Sequence, residues 1–249
     1  MEHAPVAFIL AAAVAALLVG LSKGGLSLMG TLGVPVLALV ISPVKAAALL
    51  LPILVISDMV GLWLYRREFD RRNLAILIGG GVIGIAIGWM TASLVSDRMV
   101  AFMIGLIGIV FCVNTWRLRR VKVAPKPAHI PRGIFWGTVL GFSSFVSHSG
   151  GPPYQVYVLP QQLPKTIYAG TTTMVFAAVN AMKLLPYWAL GQFTPANLTT
   201  SLYLMPIAIV GTFAGVKLVR VLPQRSYFLF VQWLLFIVSI KLVADAFTR

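Results

Sequence analysis

FVSHSGGPPYQVYVLPQQLPK, residues 145–165, interrupts a chain that is otherwise greasy enough to sit in lipid. Ser147, His148, Ser149, Gly150, Gly151, Pro152 and Pro153 arrive together, and Pro160 and Pro164 follow. Glycine loosens the backbone and proline has no amide donor, so a helix cannot run through Ser149-Gly150-Gly151-Pro152-Pro153. Two readings are open. Outside a membrane these residues make an ordinary tight turn. Inside one, non-helical backbone survives only where protein or a watery cavity satisfies its polar groups. A helix restarting near Pro152 would then turn its amides and the positive end of its dipole into the gap, which favours anions.

The rest of the chain favours the membrane. Of its 249 residues 59% are hydrophobic and 10% charged, against about 25% charged in soluble domains. Mean hydropathy is +0.92. Apolar stretches near helical spanning length recur from end to end at 4–22, 26–41, 44–65, 74–95, 99–117, 132–147, 153–163, 166–190, 198–220 and 226–246. The fold class is therefore an all-α polytopic membrane protein. No alternating ten-residue strands point to a β-barrel. Residues 4–22 lack a basic leader and read as a retained first segment. Segment 153–163 would rise only about 16 Å as a helix, half the hydrocarbon core. Eight full spans with two broken or re-entrant elements thus fit nearly as well as ten. The formal charge of +14 sits in short loops, so it reflects loop orientation in the membrane and no nucleic-acid partner.

The two sides of the basic segment 118–131 look alike. GLSKGGLSLMGTLGVP (20–35) faces GFSSFVSHSGGPPYQVYVLP (141–160), and alignment on the last proline sets Lys23 against His148 and Gly25 against Gly150. FDRRNL (69–74) faces FTPANL (193–198), and Gly84 and Gly88 match Gly211 and Gly215. This order of matches predicts a first repeat over 1–117, a cytoplasmic linker over 118–131 and a second repeat over 132–249. Arg66, Arg67, Arg71 and Arg72 mark a cytoplasmic loop, whereas its counterpart at 191–197 carries no charge. The repeats, about five segments each, are accordingly expected to be inverted, with both termini outside the cytoplasm. Inverted repeats are common in secondary transporters, whose site lies at the repeat interface.

Candidate residues follow from the breaks. Lys23, Gly24 and Gly25 in the first half and His148, Ser149, Gly150 and Gly151 in the second would bind an anion through backbone amides and positive charge. Tyr154, Asn180 and Thr171-Thr172-Thr173 offer further polar groups, although threonines in membrane helices commonly bond the preceding turn. Asp58 lies well inside an apolar run, where a carboxylate is a functional candidate. Its counterpart is close to Asn180, and Lys183 follows one turn later on the same face. Asp58 therefore serves proton coupling or a structural pair, with Lys183 or a backbone group as partner. The glycine series 80-84-88 and 211-215 reads as close helix packing. Cys112 reads as packing. No phosphate loop, nucleophile elbow or metal-ligand cluster is present, so neither an enzyme, a cofactor nor a metal site is expected.

Lys23-Gly24-Gly25…Pro35, Asp58…Tyr65-Arg66-Arg67, Ser147-His148-Ser149-Gly150-Gly151-Pro152 and Asn180…Lys183…Pro186 together resemble the sulfite exporter TauE/SafE family. The similarity spans nearly all of 6–245. It implies a carrier of small sulfur-containing anions, such as sulfite, sulfoacetate or other organosulfonates, in the bacterial inner membrane. It implies that the glycine-rich breaks line the pathway. An anion channel, an accessory membrane subunit and a carrier of a non-sulfur anion are the alternatives. Proton coupling through His148 or Asp58, and a homo-oligomeric state, stay open.

Overall fold

A computed structural model describes residues 3–41, 43–92, 97–117 and 125–248. Half of the predicted linker, residues 118–124, lies outside the described residues, as does the end of segment 74–95. Every regular element described is helical: α1 (His3–Lys23), α2 (Leu28–Thr31), α3 (Gly33–Leu37), α4 (Pro43–Tyr65), α5 (Arg71–Met90), α6 (Asp97–Arg117), α7 (Ile130–Ser147), α8 (Gly151–Val158), α9 (Lys165–Ala189), α10 (Pro195–Val221) and α11 (Gln224–Thr248). A 3-10 turn, Leu159–Gln161, extends α8. Helices satisfy their own backbone, which lipid cannot do for them. Among the described residues five, α1, α4, α5, α10 and α11, are long and apolar enough to cross a membrane. Ile9, Leu10, Trp63, Leu202 and Tyr203 stay exposed, as side chains facing acyl tails would.

The chain divides into two compact units, Met1–Phe69 with Ala169–Val221 and Asp70–Tyr168 with Leu222–Arg249. Each takes segments from both sides of the 118–131 stretch.

In the first unit α1 packs along α10, and α4 packs on both. Small residues set the α1–α10 contact. A Cβ on Gly20 would fall 2.0 Å from the Ala208 carbonyl oxygen, and one on Gly215 2.7 Å from that of Leu21. Such backbone-to-backbone approach replaces the hydrophobic drive that lipid removes. Pro52 interrupts the amide ladder of α4, and the nearby Leu49 carbonyl accepts from Ser201 Oγ of α10 at 2.7 Å.

The second unit repeats the device. α5 packs along α7, where a Cβ on Gly84 would lie 2.0 Å from the Thr138 carbonyl oxygen and one on Gly80 2.4 Å from that of Ile134. α6 packs on α11 through Trp116, Trp233 and Phe236. Cys112 is buried and free there, as its apolar setting led one to expect. Asp70 caps α5, its carboxylate accepting from the Asn73 amide at 2.7 Å. Asn73 and Gln161, both buried, exchange side-chain hydrogen bonds at 2.8 and 3.0 Å, fastening α5 to the end of the α8 segment.

Candidate functional site

The first break begins where α1 stops. Gly25 takes φ +107°, a left-handed conformation that costs glycine little. The Leu26 amide donates back to the Leu21 carbonyl and the Gly25 amide to that of Ser22, both at 3.2 Å. This is a Schellman closure. It strands Lys23 on the last helical turn with its side chain inside the unit. Two hydroxyls hold the turn: Tyr65 Oη donates to the Gly24 carbonyl at 2.8 Å, and Thr173 Oγ1 to that of Lys23 at 3.1 Å.

Lys23 Nζ then meets Asp58 Oδ1 at 2.9 Å. Asn180 Nδ2 donates to the other carboxylate oxygen at 2.7 Å. The ammonium also sits 5.7 Å from the centre of the Phe176 ring, a contact that suits a desolvated cation. Lys183 lies within electrostatic reach of both Lys23 and Asp58. Exposures of 4% for Lys23, 2% for Asp58, 2% for Asn180 and 0% for Lys183 place the whole cluster away from solvent. Helical spacing explains the convergence. Thr173, Phe176, Asn180 and Lys183 form one stripe of α9, and Asp58, Gly61 and Tyr65 one stripe of α4. Gly61 lets the helices close, since a Cβ there would stand 3.0 Å from the Lys23 carbonyl oxygen. Ser57, one turn earlier on that face of α4, is buried and its hydroxyl has no hydrogen-bond partner among the described residues.

The second break belongs to the other unit. α7 ends at Ser147, and His148 takes φ 55° as a left-handed cap, a position more often held by glycine. Its amide donates to the Ser144 carbonyl, and that of Ser149 to Ser143, each at 3.2 Å. The chain restarts as α8 with Gly150 as N-cap and prolines in the first turn. Of the first four positions, Pro152 and Pro153 carry no N–H, so Gly150 and Gly151 supply the donors that remain. Ser149 is buried. Tyr154 packs edge-on to Tyr168 and its hydroxyl donates to the Tyr168 carbonyl at 3.4 Å.

Asp58 finds an ion-pair partner that was not anticipated, Lys23 from the first break. The left-handed residue is Gly25 in one break and His148 in the other.

Residues 9–242 match the sulfite exporter TauE/SafE family. The chain belongs to that family. It matches no curated protein and no solved structure. This TauE/SafE protein is thus a multi-pass membrane protein of a transporter family, and the match covers both breaks and the buried cluster.

Sequence reasoning on this TauE/SafE chain passed over Phe176 and Ser57, and quoted Tyr65 within the family motif without giving it a role. Tyr65 and Phe176 carried a signal in retrospect, the three- and four-residue spacing that sets them on the faces of Asp58 and Asn180. Ser57 looked like any small residue in an apolar run. Among the described residues no group of His, Cys, Asp and Glu could hold a metal ion.

Proposed function

We propose that this protein is a secondary carrier that exports small sulfur-containing anions, such as sulfite, sulfoacetate or other organosulfonates, across the bacterial inner membrane. The observation that carries the reading is the buried cluster at the first break. Charged groups inside a membrane protein are costly and mark pathways, and this one sets two lysines beside a single carboxylate. Lys23, with the turn at Gly24-Gly25, and Lys183 attract the anion, and Asn180 and Ser57 offer hydrogen-bonding groups. Asp58 holds Lys23 in place while the site is empty, or exchanges a proton during transport. His148, Ser149, Gly150, Gly151 and Tyr154 form the second candidate element, with two backbone amides and an imidazole to offer.

Alternating access then exposes the anion to one side of the membrane and the other in turn. The two glycine-mediated helix pairings support the reading as a duplicated chain: Gly84 against α7 and Gly211 against α1 stand at corresponding places. Loop charges support inverted repeats, a cytoplasmic basic linker and outward termini. With the cytoplasm negative, expulsion of an anion is favoured by about 2.3 kcal/mol per charge per 100 mV. Proton coupling and self-association are compatible with this scheme.

Flux in proteoliposomes tests it. Sulfite or sulfoacetate movement should be saturable, show counterflow, and fall at least about tenfold in Lys23→Ala, a loss worth 1.4 kcal/mol. Normal flux in both Lys23→Ala and His148→Ala would refute the assignment.

A further inference from the structure

We propose that a basic cleft at the start of α7 binds the phosphodiester headgroup of an anionic phospholipid. Lys126, His129, Arg132, Trp136, Tyr157 and Gln161 line it, and all belong to the second unit. Arg72, Arg132 and Asp70 lie within electrostatic reach of Tyr157. Lys126, Arg132 and Arg72 thus stand around the single carboxylate of Asp70, which already caps α5. The surplus is positive, and it attracts an anion at short range.

The cleft is held open by its own hydrogen bonds. The Lys126 amide donates to the Pro160 carbonyl at 3.1 Å. Tyr157 Oη donates to the His129 carbonyl at 3.3 Å, and Asn73 fixes the Gln161 amide. His129 Nδ1 accepts from the Arg132 amide at 3.4 Å. The proton of the neutral ring therefore sits on Nε2, which is left as a donor for an anion oxygen.

The surroundings favour a lipid over a soluble anion. Phe135 and Trp136 meet edge-on beside the cleft, their ring centres 5.2 Å apart. Phe135 is 59% exposed and Ile130 54%. Aromatic rings among basic residues at the start of an apolar run mark the headgroup level of a membrane. Only about 30 Å³ of the cleft is enclosed, so a ligand seats one compact group there and leaves its bulk outside. A phospholipid meets both demands. Its phosphate faces Lys126, Arg132 and the His129 ring, and its acyl chains lie against Ile130 and Phe135. A free phosphate would use the charges and leave the apolar rim uncovered.

The experiment titrates the purified full-length protein, in a neutral detergent, with short-chain phosphatidylglycerol, short-chain phosphatidylcholine and glycerol phosphate. Thermal unfolding reports binding, since a ligand of the folded state raises the midpoint by mass action. Native mass spectrometry counts the lipid retained. Phosphatidylglycerol should raise the midpoint at concentrations at least about tenfold below those the other two require. Lys126→Ala/Arg132→Ala should weaken that response at least about tenfold and lose the retained lipid. Both side chains are exposed, so the lipid-free midpoint should stay near wild type. Lys126→Gln/Arg132→Gln takes its place if the alanine pair purifies poorly. Lys217→Ala, which removes an exposed cation on α10, should respond as wild type does. Three results overturn the inference: equal responses to the two lipids, glycerol phosphate as effective as phosphatidylglycerol, or undiminished phosphatidylglycerol binding in the double variant. The second of these assigns the cleft to a soluble anion.

Discussion

Lys23 and Asp58 together are far less costly than either alone. Removing one member of a buried ion pair costs about 3–5 kcal/mol, because the survivor is left charged and unsolvated. Asp58→Ala should therefore lower the thermal unfolding temperature of the detergent-solubilised protein sharply, and added sulfate should recover part of the loss. At His148 two roles share one residue, a left-handed cap and an imidazole beside a break. His148→Gly keeps the first role and removes the second, relieving about 1 kcal/mol of backbone strain. The glycine variant should unfold at or above the wild-type temperature, while His148→Ala unfolds below it. If the ring serves transport, both variants lose flux. Asp58 and the Lys23-Gly24-Gly25 turn were legible in the sequence, since a carboxylate in an apolar run and a Gly-Gly break are each rare. Their partnership was not, because a pair 35 positions apart depends on how α1 and α4 pack.

The helices themselves were largely readable from apolar runs, and glycine spacing marked their packing faces. What spacing could not name was the partner of each face. α1 meets α10 and α5 meets α7, pairings between distant parts of the chain that no local pattern encodes. At the start of α8 two adjacent prolines announce a helix start and leave Gly150 and Gly151 as its donors. Gly84→Ala tests the packing directly. Its new methyl would stand 2.0 Å from the Thr138 carbonyl oxygen, a backbone atom that cannot swing aside. Overpacking of this kind costs about 1–3 kcal/mol. The variant should show a lowered unfolding temperature, and Gly191→Ala, where no atom lies within 4 Å, should lose less despite its positive φ.

For the molecule as a whole, family and membrane character were legible from composition and motifs, while substrate identity rests on transport measurements. If one net negative charge moves per cycle, a 100 mV potential is worth about 2.3 kcal/mol, roughly a 50-fold concentration ratio at equilibrium. Imposing that potential on proteoliposomes with a potassium ionophore should drive anion accumulation on the positive side. A ratio that tracks a pH gradient instead identifies proton exchange as the coupling.

Both compact units are stitched from separate stretches, Met1–Phe69 with Ala169–Val221 and Asp70–Tyr168 with Leu222–Arg249. During synthesis Lys23 and Asp58 leave the ribosome long before Asn180 exists to receive them. The nascent amino-terminal helices must wait, with charged side chains inserted or held back, until translation reaches α9 and α10. A gene severed between residues 117 and 125 should consequently yield two polypeptides that are each degraded when expressed alone, and a stable, transport-competent pair when expressed together.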